Sequence, residues 1–204
     1  MRTPTPADPA PAAQTPAAEP TAAGRIIELE PKDAPVLRSV MQEAFAEYTT
    51  DGFSYGTEHE TDESIRAELE GSGRAAALVV DGAVAAVVKF HVEPETGLLY
   101  FWRLSVRPQH RGKGLATQIV RWLFDVAAAE ALGGIACNVV PRHAQLARLY
   151  EHSSMHIVGE VEHVTPRGQT LTLLRLEGAL PPTRAIIELR EQDAPLLRAA
   201  LHES

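Results

Sequence analysis

Residues 106–116, Val-Arg-Pro-Gln-His-Arg-Gly-Lys-Gly-Leu-Ala, join an apolar run to an amphipathic segment through a basic turn with two glycines. Leu98 to Val106 reads as a buried strand, and Leu115, Ile119, Val120, Leu123, Val126 and Ala127 recur at helical spacing. The turn therefore falls at a helix N-terminus. Backbone N–H groups lack intrahelical partners there, and the helix dipole favours negative charge. Gly112 and Gly114 permit close backbone approach and positive φ, while Arg107, Arg111 and Lys113 add positive charge. The chemistry that such a turn can do is to hold phosphate groups. The third glycine of a dinucleotide-binding turn and the Gly-Lys-Ser/Thr ending of a P-loop are both missing.

The spacing Gln109-x-x-Gly112-x-Gly114, preceded by Val-x-Pro and followed by Leu-Ala, resembles the GNAT superfamily of acyl-CoA-dependent N-acyltransferases. The resemblance implies acetyl-CoA as cosubstrate. Its pyrophosphate would be wrapped by the amides of Arg111, Gly112, Lys113, Gly114, Leu115 and Ala116, with the Thr117 hydroxyl adding to them. Its pantetheine arm would lie between two splayed parallel strands, 101–106 and 135–140, and pair with the amides near Leu104 and Val106. As side chains, Leu104 and Val106 read as core.

Tyr150 stands in Leu146-x-x-Leu149-Tyr150-Glu151, which is similar to the family's helix ending in Leu-Tyr-Glu. The resemblance places its phenol near the CoA sulfur as the general acid, and a phenol with a pKa of ~10 is protonated at neutral pH. Tyr150 also fits an apolar stripe with Leu146 and Leu149. The chain departs from the family pattern with Ser154 where glycine is usual and Met155 where phenylalanine is usual, so a less sharply turned helix end is expected. His143 replaces a common asparagine, and it reads equally as a CoA contact and as a solvent-facing residue.

No acidic residue lies within 98–106, where several relatives carry a glutamate base. Glu93 is taken as the base, with His91, Glu47, Glu58 or a chain of waters as alternatives. Cys137, the single cysteine, reads as a small core residue, and transfer is expected to be direct. The histidines lack a close metal-ligand spacing, so no metal is expected.

These residues need a scaffold, and apolar periodicity supplies one. A strand from Arg25 to Leu29 precedes a helix opened by Asp33-Ala34-Pro35, with Asp33 expected as N-cap. A short helix follows around Asp62 to Glu70, and Asp81-Gly82 marks a hairpin between strands 75–80 and 83–92. After the glycine turn come a long helix ending near Gly133-Gly134, a strand at 135–140, a helix to about Ser153, and closing strands at 156–163 and 169–177. The order β-α-α-β-β-β-α-β-α-β-β over 25–178 defines a mixed-sheet α/β fold, which is that of the GNAT family. A right-handed parallel crossover is expected around the glycine turn.

Residues 1–24, rich in Ala, Pro and Thr, read as a disordered tail. Residues 179–184 read as a linker. Residues 185–204 repeat the start of the domain: ten of nineteen positions are identical between 26–44 and 186–204. That is a duplicated strand–helix start, expected either as a second domain cut short or as an element that pairs the chain with a second copy in a homodimer.

With 27 acidic against 19 basic residues the formal charge is −8, which disfavours a nucleic-acid partner and suits a basic ligand. One cysteine, no long apolar stretch and no apolar leader lead to an expectation of a cytoplasmic protein without membrane attachment. Two functions fit these readings. One is an N-acetyltransferase acting on a primary amine of a small molecule or peptide N-terminus; the other is a non-catalytic acyl-CoA-binding module that keeps only the phosphate turn. The segments 49–64 and 164–169 would choose the acceptor, and an acidic, aromatic entrance leans toward a cationic amine.

Overall fold

A computed structural model describes residues 24–46, 59–142, 144–165, 168 and 170–180. The Ala/Pro-rich tail through residue 23, the linker beyond residue 180, the C-terminal repeat and His143 lie outside the described residues, as do Glu47, Glu58, Tyr48, Phe53 and Tyr55.

The chain forms β1 (Arg25–Glu28), α1 (Ala34–Phe45), α2 (Asp62–Glu70), β2 (Arg74–Val80), β3 (Ala83–Val92) and β4 (Leu99–Val106), then α3 (Leu115–Ala129), β5 (Gly134–Val139), α4 (Ala144–Glu151), β6 (His156–Val164) and β7 (Thr170–Ala179). This is the expected order. The seven strands make one sheet in the order β1-β2-β3-β4-β5-β7-β6. Every neighbouring pair is antiparallel except β4 and β5.

Period-two alternation divides the sheet into two faces. Ala75, Ala77 and Val87 pack against Leu37, Val40, Met41 and Ile65 of α1 and α2. Ala76, Leu78, Phe90 and Phe101 face the other way, onto Leu115, Ile119 and Leu123 of α3 and onto Tyr150 of α4. Small alanines on β2 and β3 let both helix layers approach the sheet. Asp81 and Gly82 take positive φ (+50° and +77°), the geometry that an Asp-Gly hairpin turn requires.

Asp33 occupies the N-cap position of α1, as expected. The Asp33 side chain makes no cap hydrogen bond to α1. Its carboxylate instead accepts the Glu30 N–H at 2.9 Å, closing a 3₁₀ turn at Pro31–Asp33 that precedes the helix.

Two irregularities shape the centre of the sheet. The β3–β4 register slips between Val87 and Lys89, so β4 bulges at Arg103, whose φ is +54°. Beside the bulge, the parallel β4–β5 ladder holds only at Leu99 with Ile135 and Tyr100 with Ala136. β5 stays paired with β7 as far as Val139, so it is β4 and β5 that part company. The sequence reading expected this splay.

Candidate active site

The turn leaving β4 presents an open helix end. Gly112 and Gly114 have φ of +74° and +70°, and Gly114 is the left-handed N-cap of α3 without a side-chain cap. The first intrahelical bond runs from Gln118 N–H to the Gly114 carbonyl. The amides of Leu115, Ala116 and Thr117 therefore have no acceptor within the helix. A β-carbon built on Gly112 would meet no atom within 4 Å, which leaves the backbone open to a ligand on that side.

This helix end opens onto a cavity of about 350 Å³. Its wall comprises Ala44 and Phe45 from α1, Leu104, Ser105 and Val106 from β4, Arg111, Gly112, Gly114, Leu115, Ala116 and Thr117 from the turn and α3, and Leu146, Leu149 and Tyr150 from α4. The structure thus gathers Leu104, Val106, the glycine turn and Tyr150 into one place. Ala44, Phe45 and Ser105 are additions that local pattern could not supply, because only the packing of α1 beside the bulge brings them there.

Tyr150 is 6% exposed, and its ring stands edge-on to Phe101 at 5.5 Å between centroids. Burial raises its phenol well above the ordinary value, with nearby Cys137 and Tyr100 adding to the shift, so the group stays protonated at neutral pH. The helix end that carries it is sharply turned, contrary to expectation. Met155 N–H donates to the Tyr150 carbonyl at 3.1 Å and Ser154 N–H to the Glu151 carbonyl at 3.2 Å, with Ser154 at φ +65°. That is a Schellman ending in which serine takes the left-handed position and fully buried Met155 supplies the apolar anchor.

Residues 37–154 match the acetyltransferase (GNAT) family. The chain belongs to this family. Among curated proteins it is similar to N-acetylaspartate synthetase of Xenopus tropicalis, 30% identical over 115 residues, which are 56% of this chain and 42% of the relative. The chain thus spans less than half the length of that relative. Among solved structures it shares its fold with an N-acetyltransferase from Staphylococcus aureus, with a TM-score of 0.64 and 17% identity over 78% of this chain and 99% of the other. It also shares it with yncA from Salmonella typhimurium, solved with its cofactor acetyl-CoA, with a TM-score of 0.63 and 15% identity over 81% and 99%.

Within this GNAT domain the arginines near the turn have structural duties. Arg107 bonds the Val84 carbonyl at 2.9 Å and pairs with Glu43, tying β3 to α1. Arg111 spends its guanidinium on the Ala44 carbonyl at 2.8 Å and the Val106 carbonyl at 3.3 Å, and its amide on the Pro108 carbonyl. Lys113 is exposed and does not line the cavity. The open helix end, with amides that lack intrahelical acceptors, is what remains uncommitted at this turn.

Glu93 is not brought to the cavity. It follows β3 at the end of β4 remote from the glycine turn, where Arg175 of β7 donates to it at 2.8 and 2.5 Å. The Thr96 hydroxyl donates to it as well. The Arg175 hydrogen bonds hold the carboxyl below its ordinary range, against an opposing effect of burial, and a carboxylate so held is a poor proton acceptor. The same sheet face carries Lys89, 2% exposed and paired with Glu60 at 3.1 Å and Glu68 at 2.5 Å, while Arg103 pairs with Glu60 at 2.8 Å. Burial pushes the Cys137 thiol upward, so it supplies little thiolate. No group of three His, Cys, Asp or Glu side chains suited to a metal occurs among the described residues.

Proposed function

We propose that this GNAT domain is an acetyl-CoA-dependent N-acetyltransferase that passes acetyl directly to a primary amine of a small molecule or peptide N-terminus. The observation that carries the reading is one cavity beside the free edge of β4, onto which an uncapped 15-residue helix and a protonated tyrosine both open. The residues fit acetyl-CoA. The amides of Leu115, Ala116 and Thr117, with the open backbone of Gly112, would hold its pyrophosphate. Leu104 and Val106 lie on the free edge of β4, where backbone groups without a β5 partner would pair with the pantetheine arm. Tyr150 would protonate the departing thiolate. Direct transfer is supported by Cys137, whose thiol is too protonated for a covalent carrier.

Two sequence features favoured a module without catalysis, the absence of a glutamate within 98–106 and the departures at residues 154 and 155; the first stands and the second does not. The support from the departures lapses, since Ser154 and Met155 preserve the turn that seats Tyr150. The curated relative is named for the acetylation of aspartate, which makes L-aspartate the first acceptor to try. No described helix is long and apolar enough to cross a membrane, and a cytoplasmic setting without nucleic-acid partners rests on the acidic composition and lone cysteine.

Calorimetry with acetyl-CoA tests the reading. At Gly114 a valine would need φ of +70°, which a β-branched residue resists, so Gly114→Val should weaken binding more than tenfold, or more than ~1.4 kcal/mol. Equal affinity in parent and variant would remove the helix end from the site.

A further inference from the structure

We infer that His91 is the general base that removes a proton from the acceptor amine, which reaches the splay from the sheet face opposite Tyr150. The inference rests on the acetyltransferase reading above and adds the residue that the sequence left open among several candidates.

β4 presents two faces. Tyr150 and Phe101 occupy the α3 side of β4. Residues of opposite parity, Tyr100 and Trp102, occupy the other side, where pairing sets His91 beside Tyr100 and Lys89 beside Trp102. Because the β4–β5 ladder stops after Tyr100 and Ala136, the gap beyond it passes through the sheet. A thioester seated there is open to a proton donor on one face and to a nucleophile on the other.

The nucleophile's face has an aromatic wall. The His91 ring lies 4.9 Å from Trp102 and 5.5 Å from Tyr100, and Tyr100 stacks on Trp102 at 5.9 Å. His91, Tyr100 and Trp102 do not themselves line the cavity, but Trp102 is two residues from Leu104, which does. Across the gap, Asn138 shares this face, since it pairs with Arg175, and its buried Oδ1 accepts no hydrogen bond among the described residues. That oxygen is suited to hold an N–H of the incoming amine.

The choice of base follows from what else is there. Glu60 is shared by Lys89 and Arg103, Glu68 is paired with Lys89, and Glu93 and Glu177 are both paired with Arg175. Lys89, Arg103 and Arg175 are cations, and burial pushes the Tyr100 phenol up to about 12. His91 is half-buried; its ring touches Tyr100 and Trp102 and interacts electrostatically with Glu93, and among the described residues its side chain has neither hydrogen bond nor ion pair. Imidazole is the side chain most often used to take a proton in general base catalysis.

The acceptor arrives as R–NH3+, and His91 takes one proton, freeing the nitrogen lone pair. The C–N bond forms at the acetyl carbonyl carbon and the C–S bond breaks, the sulfur leaving with its electron pair. Tyr150 protonates the thiolate, and the second nitrogen proton restores the phenol. The proton on His91 passes to solvent.

The test compares parent, His91→Gln and His91→Ala. Acetyl-CoA is paired with whichever of L-aspartate, a diamine and an alanyl peptide releases CoA fastest. Turnover in His91→Gln should fall ~10²-fold with acetyl-CoA affinity unchanged. The limb of kcat/KM that rises with pH as the base loses its proton should vanish, and added imidazole should restore turnover to His91→Ala. Turnover near the parent's, an unchanged pH limb, or a loss that comes with weakened acetyl-CoA binding and no rescue would each overturn the assignment. If the parent acetylates none of the amines, the acetyltransferase reading itself is in question. The slow hydrolysis of acetyl-CoA, with water as nucleophile, then gives the same comparison for His91.

Discussion

Tyr150 offers different atoms to packing and to the proposed chemistry: the ring stands edge-on to Phe101, while the side chain borders the cavity. Tyr150→Phe keeps the ring and removes only the hydroxyl. Turnover is expected to fall ~10²-fold or more while the acetyl-CoA dissociation constant changes little, because the lost interaction belongs mainly to the transition state. Steady-state kinetics beside calorimetry checks it, and equal turnover would leave Tyr150 as a core aromatic. Residue types in the sequence were enough to nominate Tyr150 and the two glycines, since their motifs are local. The fate of Glu93 was not legible: Arg175 is 82 positions away, and only the fold decides that the two meet. The same holds for Arg111, whose charge in the motif suggested phosphate but whose guanidinium is committed to the Ala44 carbonyl.

At the scale of elements, the end of α4 shows how a departure from a pattern can be absorbed. Ser154 holds φ of +65°, a conformation that costs an ordinary L-residue ~1–2 kcal/mol and glycine almost nothing. Glycine also gives the unfolded chain more freedom, which offsets ~0.4–1 kcal/mol of the gain. Ser154→Gly is therefore expected to stabilise the domain by about 0.5–1 kcal/mol, read as a higher urea midpoint at constant m-value. A lower midpoint would show that the serine is preferred there. The order of elements was readable because strands and helices announce themselves through periods of two and 3.6. The β4 bulge did not announce itself, since a register slip is a property of two strands together and Arg103 carries no mark of its positive φ. The splay was expected only through the family resemblance, for the same reason.

For the whole molecule, the consequence of the interrupted β4–β5 ladder reaches beyond the site. Two rungs, Leu99 with Ile135 and Tyr100 with Ala136, are the whole of the strand pairing between the blade β1-β2-β3-β4 and the blade β5-β7-β6 among the described residues. Past those rungs, every second amide on the facing edges of β4 and β5 lacks a strand partner. A cosubstrate lying in the gap would act as the missing rungs and weld two blades into one sheet. Isotope exchange makes this visible. In the free protein, alternate amides within residues 101–106 of β4 and 137–139 of β5 should trade hydrogen for deuterium faster than their neighbours. Saturation with acetyl-CoA should slow those same amides, whereas the β2–β3 hairpin should keep its rate. Exchange that is unmoved by the ligand would mean the blades are already rigidly joined. Slowing on both sides of the gap would mean that this sheet is finished only when its cosubstrate is part of it.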